Sequence, residues 1–481
     1  MEYLTLACGL ALPWLLGFSL LLALDWPRRA TAAAQGDPPG GTAALRLGYG
    51  FFIGALVLTL WMRVLSVAGI AFGRVSIGAP MLVAIIALVA WAARRNRISL
   101  ATGRDVLESL IQPPLPRWQK WAWTLLLAWL ALRFASLAAE VAWRPVYPWD
   151  AWVRWATKAR VWFESGSIVA FVPSEAWLSG AAGAYFDASP NDPATVPLLQ
   201  VWSCIALGRW DDSAMNWPWL MMLFALALAV YGALRDFAFP MLAALIGAYL
   251  VASLPLLDAH VALAGYADLM VSGVYTLAAL AFHRWVLRRD PGDAGLALLL
   301  ALACPLIEIP GFVWILTLLP GVVVALLPRH GLKIVGLGFG AAALVLLALA
   351  QFEPVIFGHR LHLDYQPPWQ SLVEADFLFD NWHLLWYAVV ALALLGARRL
   401  SRAPLAPLAM VAASALVFVS IVFAFSNAMA LIGDYTTFNR ATLHVAPLLA
   451  CLCVLVWREL TAPKSASEPV VTGPVALAAD A

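Results

Sequence analysis

Charge is what this chain has least of. Among its 481 residues, 30 are Lys or Arg and 28 are Asp or Glu, 12% in all. Soluble globular domains carry roughly 25%, so a soluble fold is excluded. Acids and bases nearly cancel, to a formal net charge of +2, which gives no reason to expect a nucleic-acid partner. Cysteine is also scarce. Cys8, Cys204, Cys304, Cys451 and Cys453 fall mostly within apolar runs. Cys451 and Cys453 are too close for an ordinary disulfide and lack a neighbouring His or Cys for zinc, so all five read as small core residues. No basic segment precedes the first apolar run, and no small-x-small site precedes Asp25. That run is expected to stay as a membrane span rather than be cleaved. Short alternating segments are missing too, which excludes a β-barrel. No internal repeat suggests the inverted halves of many transporters.

What is abundant is apolar sequence: 63% of residues are hydrophobic, at a mean hydropathy of +0.83. Several runs exceed the roughly 18 residues that mark a bilayer-spanning helix. The expected fold is therefore all-α: a polytopic membrane protein with about 13 transmembrane helices. The spans are placed at 4–24, 47–70, 77–94, 121–142, 214–233, 239–257, 267–286, 293–308, 310–328, 333–351, 382–397, 404–425 and 440–457. With the N-terminus outside, the short inner loops collect most of the 30 cations, among them Arg28, Arg29, Arg46, Arg284, Arg288, Arg289, Arg398 and Arg399. This agrees with the positive-inside rule. The chain then divides into three N-terminal spans with an inner loop (1–119), a transmembrane module (120–457) and a disordered inner tail (458–481). The outer face holds a large loop at 143–213, expected to carry amphipathic interfacial helices.

That loop opens "YPWDAWVRWATKARVWFESG" from Tyr147. As an α-helix, residues 149–164 put Trp152, Trp155, Ala156, Ala159, Trp162 and Phe163 on one side. Asp150, Arg154, Thr157, Lys158, Arg160 and Glu164 take the other. Such a helix fits the membrane interface, with indoles among headgroups and cations toward phosphates. Asp150, Arg154 and Lys158 share a stripe at i, i+4, i+8, and surface ion pairs would explain them. Asp150, in the first turn after Pro148, is also placed to take a proton from an incoming hydroxyl. Further along, Asp187 and Asp192 lie in "YFDASPNDPATVPLLQVW", where Asp192 reads equally as a helix N-cap or a functional acid.

These segments, with "GYADLMVSGVYTLAALAF", "LIEIPGFVWILTLLPG" and "TTFNRATLHVAPLL", resemble in order and sidedness the GT-C integral membrane glycosyltransferases. That group includes lipid A aminoarabinose transferases and protein O-mannosyltransferases. The resemblance covers residues 120–457. The chain departs from it in Asp150-Ala151 where many members have Asp-Glu, and in Asp192-Pro193-Ala194 where they have Tyr-Pro-Pro. It implies an inverting glycosyltransferase, outward-facing in the bacterial inner membrane. Such an enzyme would take a sugar from a polyprenyl-phosphate donor to a glycan, lipid or protein acceptor. Asp150 would be the catalytic base, with Arg154, Lys158, Asp192, Asp268, Glu308 and Arg440 binding substrate. Guanidinium groups suit the carrier phosphate, although Arg154 and Lys158 also fit interfacial snorkelling and Arg440 a span-end anchor. No cofactor is required by the sequence, and a divalent metal is an option. His359, His362 and Asp364 form one candidate cluster, and Asp258 with His260 another. Arg133 and Glu140, on one face of the fourth span, could line the cavity. The alternatives are a flippase or transporter of a lipid-linked saccharide and a non-catalytic envelope-assembly protein. A transporter would need charge at the bilayer midplane.

Overall fold

The computed structural model describes residues 2–28, 39–98, 114–180, 183–352, 355–356, 359–360, 369–425 and 431–462. The tail expected to be disordered falls outside them, apart from its first five residues. Nineteen α-helices run in chain order among them. They are α1 (Glu2–Ala23), α2 (Pro39–Val67), α3 (Ala79–Arg94), α4 (Arg117–Trp143), α5 (Thr157–Ser165), α6 (Ser174–Leu178), α7 (Thr195–Leu207), α8 (Trp217–Asp236), α9 (Met241–Ala252) and α10 (Pro255–Ala262). Then come α11 (Asp268–Arg288), α12 (Pro291–Ile307), α13 (Gly311–Leu326), α14 (Gly331–Phe352), α15 (Trp369–Val373), α16 (Leu385–Leu400), α17 (Leu405–Phe425), α18 (Thr437–Leu443) and α19 (Ala446–Thr461). The only strands among the described residues are two antiparallel ones of two residues each, β1 (Val355–Ile356) and β2 (His359–Arg360).

Among the described residues, eight helices are long and apolar enough to cross a membrane, and ten segments are if two bent pairs each count once. The expected thirteen spans thus map onto fewer full-length helices. The segments 293–308, 310–328 and 382–397 fold as α12, α13 and α16, of 17, 16 and 16 residues. The span expected at 239–257 is broken. Pro255 starts a new helix, so α9 and α10 meet at 60°; proline cannot donate the bond that would continue the first helix. The last span bends by 48° between α18 and α19.

Close packing at the N-terminal side rests on small residues. A Cβ at Gly17 would lie 1.9 Å from the Gly50 carbonyl oxygen, and one at Gly54 would lie 1.7 Å from that of Pro13. Gly50 and Gly54 are four apart, so both face α1, where glycine lets two membrane helices approach backbone to backbone.

At the centre stands α11, with 89% of its apolar window buried inside the protein. Its 21 residues span about 31 Å at 1.5 Å per residue, close to the roughly 30 Å of a bilayer's hydrocarbon core. Both ends are charged and buried. At the C-terminal end Arg284, fully buried, pairs with Asp236 and with Asp293 (2.9 Å), and Asp293 also accepts from Trp26 Nε1 at 2.8 Å. Arg288 joins Asp236 at 2.8 Å. Every acid there has a basic partner, as burial requires.

Candidate functional site

The opposite end of α11 begins at Gly265-Tyr266-Ala267. Gly265 has φ +117°, a conformation that side chains disfavour, and a Cβ there would lie 2.6 Å from that of Ala151. Both conditions call for glycine. This contact docks the 143–213 loop onto the bundle. The Tyr266 carbonyl accepts from Trp219 Nε1 at 2.8 Å, fixing the turn to α8. Asp268 then enters the first turn of α11, where unpaired N–H groups favour a carboxylate. It is 1% exposed.

Asp150 immediately precedes a π-helical stretch, Ala151–Ala156, and makes no capping bond with its side chain. Its carboxylate instead accepts from Arg440 Nη1 at 2.6 Å. Arg440, on α18, also clasps Asp268, with Nε 3.2 and 3.1 Å from the two carboxylate oxygens and Nη2 3.1 Å from Oδ2. Its guanidinium carbon lies 4.5 Å from the Tyr266 ring centroid. One cation therefore bridges a loop acid and a buried helix acid, over an aromatic face.

Behind this bridge sits His444, four residues after Arg440 and 3% exposed. Its Nε2 is 3.2 Å from Asp268 Oδ1 and 3.4 Å from Glu308 Oε2. A single N–H cannot serve both, and Glu308 Oε2 is left without a hydrogen bond. Glu308 is extended at the break between α12 and α13, just before Ile309-Pro310. Proline disfavours helix in the residue before it, so the break follows from sequence. Asp268, Glu308 and His444 hold one donor atom each within 4.8 Å of one another, near enough to share a cation. Two features oppose that use. Arg440 already supplies positive charge to Asp268, and His444 Nδ1 has no partner, whereas a metal-bound histidine nearly always donates from its second nitrogen.

A second cluster locks the loop. Arg154 Nη2 and Nε meet Asp192 Oδ2 at 2.9 and 3.0 Å. Lys158 Nζ lies 3.2 Å from Asp187 and 3.9 Å from Asp192, and it donates to the Ser189 carbonyl. Burial pushes the Lys158 ammonium below its usual range, opposed by the two carboxylates.

Several expectations change here. Lys158 does not lie on an open face, since its side chain is 1% exposed. The π turn widens the helical repeat before residue 157, so a 100° wheel misplaces the side chains beyond it. Trp155 and Trp162 pack into the protein, at 0% and 4% exposed, while Trp152 is 54% exposed. Asp192 does not cap α7, whose N-cap is Ala194 without a side-chain bond; its buried charge goes to Arg154 instead. Asp258 pairs with Arg133, and His260 turns toward Asp268, 3.9 Å away, so these two share no ligand. Glu140 pairs with Arg144 at the surface. His362 and Asp364 lie outside the described residues, as does the side chain of His359.

Of the residues anticipated, Asp150, Asp268, Glu308 and Arg440 come together, and Arg154, Lys158 and Asp192 form the neighbouring clamp. His444, Tyr266 and Asn439 were missed. The i, i+4 spacing of Arg440 and His444 puts them on one helix face and was a readable signal. Beside Arg440 opens a cavity of about 290 Å³, lined by Leu256, Ala259, His260, Leu263, Tyr266, Asn381, Tyr435, Thr436, Asn439 and Arg440. Cavities of this size and mixed lining suit small ligands. No protein-family model matches the chain, nor does any curated protein or solved structure.

Proposed function

We propose that this membrane protein is a glycosyltransferase of GT-C type. It moves a sugar from a polyprenyl-phosphate donor to a hydroxyl-bearing glycan, lipid or protein acceptor at the outer face of a bacterial inner membrane. The observation that carries the reading is the meeting of Asp150 and Asp268 on Arg440, beside a cavity of mixed lining at one end of a buried helix. The thirteen-span topology, with the 143–213 loop outside, belongs to the same proposal.

The chemistry follows from the charges. An arriving phosphate competes with Asp150 for Arg440, while Asp268, itself in contact with His444, keeps the guanidinium in place. Asp150, 31% exposed and released from its partner, accepts the proton of the acceptor hydroxyl. The acceptor oxygen bonds to the anomeric carbon as that carbon's bond to the phosphate oxygen breaks. The electron pair leaves with the phosphate, whose charge Arg440 stabilises. Attack opposite the leaving group inverts the anomeric centre.

A transporter of a lipid-linked saccharide fits less well. Between Asp268 and His283, α11 carries only Ser272, Tyr275 and Thr276 as polar groups beyond its first turn, with no charge for a midplane site. The test is transfer of label from a polyprenyl-phosphate sugar in membranes bearing wild type or Asp150→Asn. Equal incorporation by both would remove Asp150 as the base. Saccharide movement across the membrane without transfer would favour the transporter.

A further inference from the structure

Among the arginines at the Arg440 end of the bundle, Arg63 is set apart by having no acid. It belongs to α2, outside the stretch that carries the glycosyltransferase resemblance, and is half-buried. Arg133, Arg154 and Arg440, half-buried as well, each meet a carboxylate. Arg63 meets none among the described residues. Its Nη2 donates to Thr195 Oγ1 at 2.9 Å and lies 3.5 Å from the Leu306 carbonyl. That carbonyl already accepts from Thr195 Oγ1, so ending α12 does not use up the cation. Nη1 makes no hydrogen bond and is not enclosed. A half-buried charge without a counter-charge is costly, and this one keeps an open donor.

The surroundings point to the source of the missing charge. Arg63 comes four residues before Val67, the end of a 27-residue apolar span. At 1.5 Å per residue that is about 6 Å from the helix end, a depth from which a long cationic side chain reaches lipid headgroups. Leu60, Val64 and Val67, at i−3, i+1 and i+4, are 44%, 54% and 91% exposed. On α12, Leu302, one turn before Leu306, is exposed too. A free anion would have to leave water for a setting of exposed apolar side chains. A lipid brings its phosphate to the guanidinium with its own chains against those side chains, and the planar fork of arginine suits phosphate.

We infer that Arg63 binds the phosphate of a membrane lipid, at a site separate from the Arg440 cluster. No turnover enters the test, so its failure leaves the transferase reading untouched. The probes are phosphatidylglycerol, diacylglycerol (the same chains without phosphate) and inorganic phosphate. They are offered to the full chain in phosphate-free maltoside micelles, and retained lipids are counted by native mass spectrometry. Wild type should hold one phosphatidylglycerol more than Arg63→Gln. Arg63→Lys, which keeps the charge, should hold the wild-type number. Diacylglycerol should not replace this lipid, and equimolar inorganic phosphate should not displace it. Thr195→Val removes the tie between α7 and α12 without touching the charge, and should also hold the wild-type number. Equal counts for wild type and Arg63→Gln overturn the site. Loss of the lipid in Thr195→Val overturns it as well, because the arginine would then act only as a brace. Retention of diacylglycerol in its place, or displacement by inorganic phosphate, refutes a lipid phosphate as the ligand. In wild type, a photoreactive headgroup on phosphatidylglycerol should label residues 60–67. Labelling confined to other segments overturns the inference even if Arg63→Gln does not fold.

Discussion

Arg440 and Asp150 stand 290 positions apart in sequence and meet at 2.6 Å. Through this hydrogen bond the guanidinium of α18 reaches the 143–213 segment, joining its acid to the same cation that holds Asp268. Replacing Arg440 should therefore act on both. Arg440→Lys keeps the charge but loses the planar fork. Sugar transfer should fall at least about 100-fold, within the usual range for losing a positioned electrostatic donor. Initial-rate measurement at saturating donor checks this, and an unchanged kcat would break the assignment.

Lys158 and Asp187 are buried at 1% and 0% side-chain exposure. Removing one member of such a pair strands the other, at a cost of about 3–5 kcal/mol. Lys158→Met should destabilise the loop accordingly and expose 143–213 to protease in detergent. Lys158→Met combined with Asp187→Leu should recover much of the loss. A double variant no better than the single one would show that the pair is not the source.

The α1–α2 contact leaves no room for a methyl group at Gly54, where a Cβ would fall 1.7 Å from backbone oxygen. Gly54→Ala should lower unfolding stability by about 1–3 kcal/mol, the usual cost of overpacking, and larger side chains by more. Steric-trap or denaturant unfolding in mixed micelles reads it. Gly295, with nothing near its missing Cβ, is the control position.

Asp376, in the π-helical turn Glu374–Leu378, has a buried Oδ1 without a hydrogen bond, and burial pushes its carboxyl up to about 7. The folded state therefore binds a proton that the unfolded state releases above about pH 4. Stability should be greatest below pH 4 with respect to this group. It should decline as pH rises and level off above 7. Melting temperatures between pH 4 and 8 should show that slope, and Asp376→Asn should flatten it.

Much of the helical content was readable, since apolar runs cannot hide their backbone in a bilayer any other way. The first span, expected at 4–24, folds as Glu2–Ala23, and 404–425 as Leu405–Phe425. Asp268 and Arg440 stood out through the resemblance of their segments, and they do meet. Lys158 was misjudged for a different reason. Its partner Asp187 is 29 positions away, and the π turn that swings the lysine inward leaves no mark in the periodicity. The break at Pro310 was legible as the gap between the spans expected at 293–308 and 310–328, whereas the bend at Pro255 falls inside one expected span, 239–257, and was not placed.

Because α11 is tied by ion pairs at both of its ends, it behaves as an axle clamped in two bearings. It cannot slide along its axis without breaking the Asp268–Arg440 contact at one end or the Arg284–Asp236 and Arg284–Asp293 contacts at the other. A half-turn would carry each charge away from its partner and against the apolar side chains packed around the helix. Conformational work in this protein is thereby confined to what surrounds that axle.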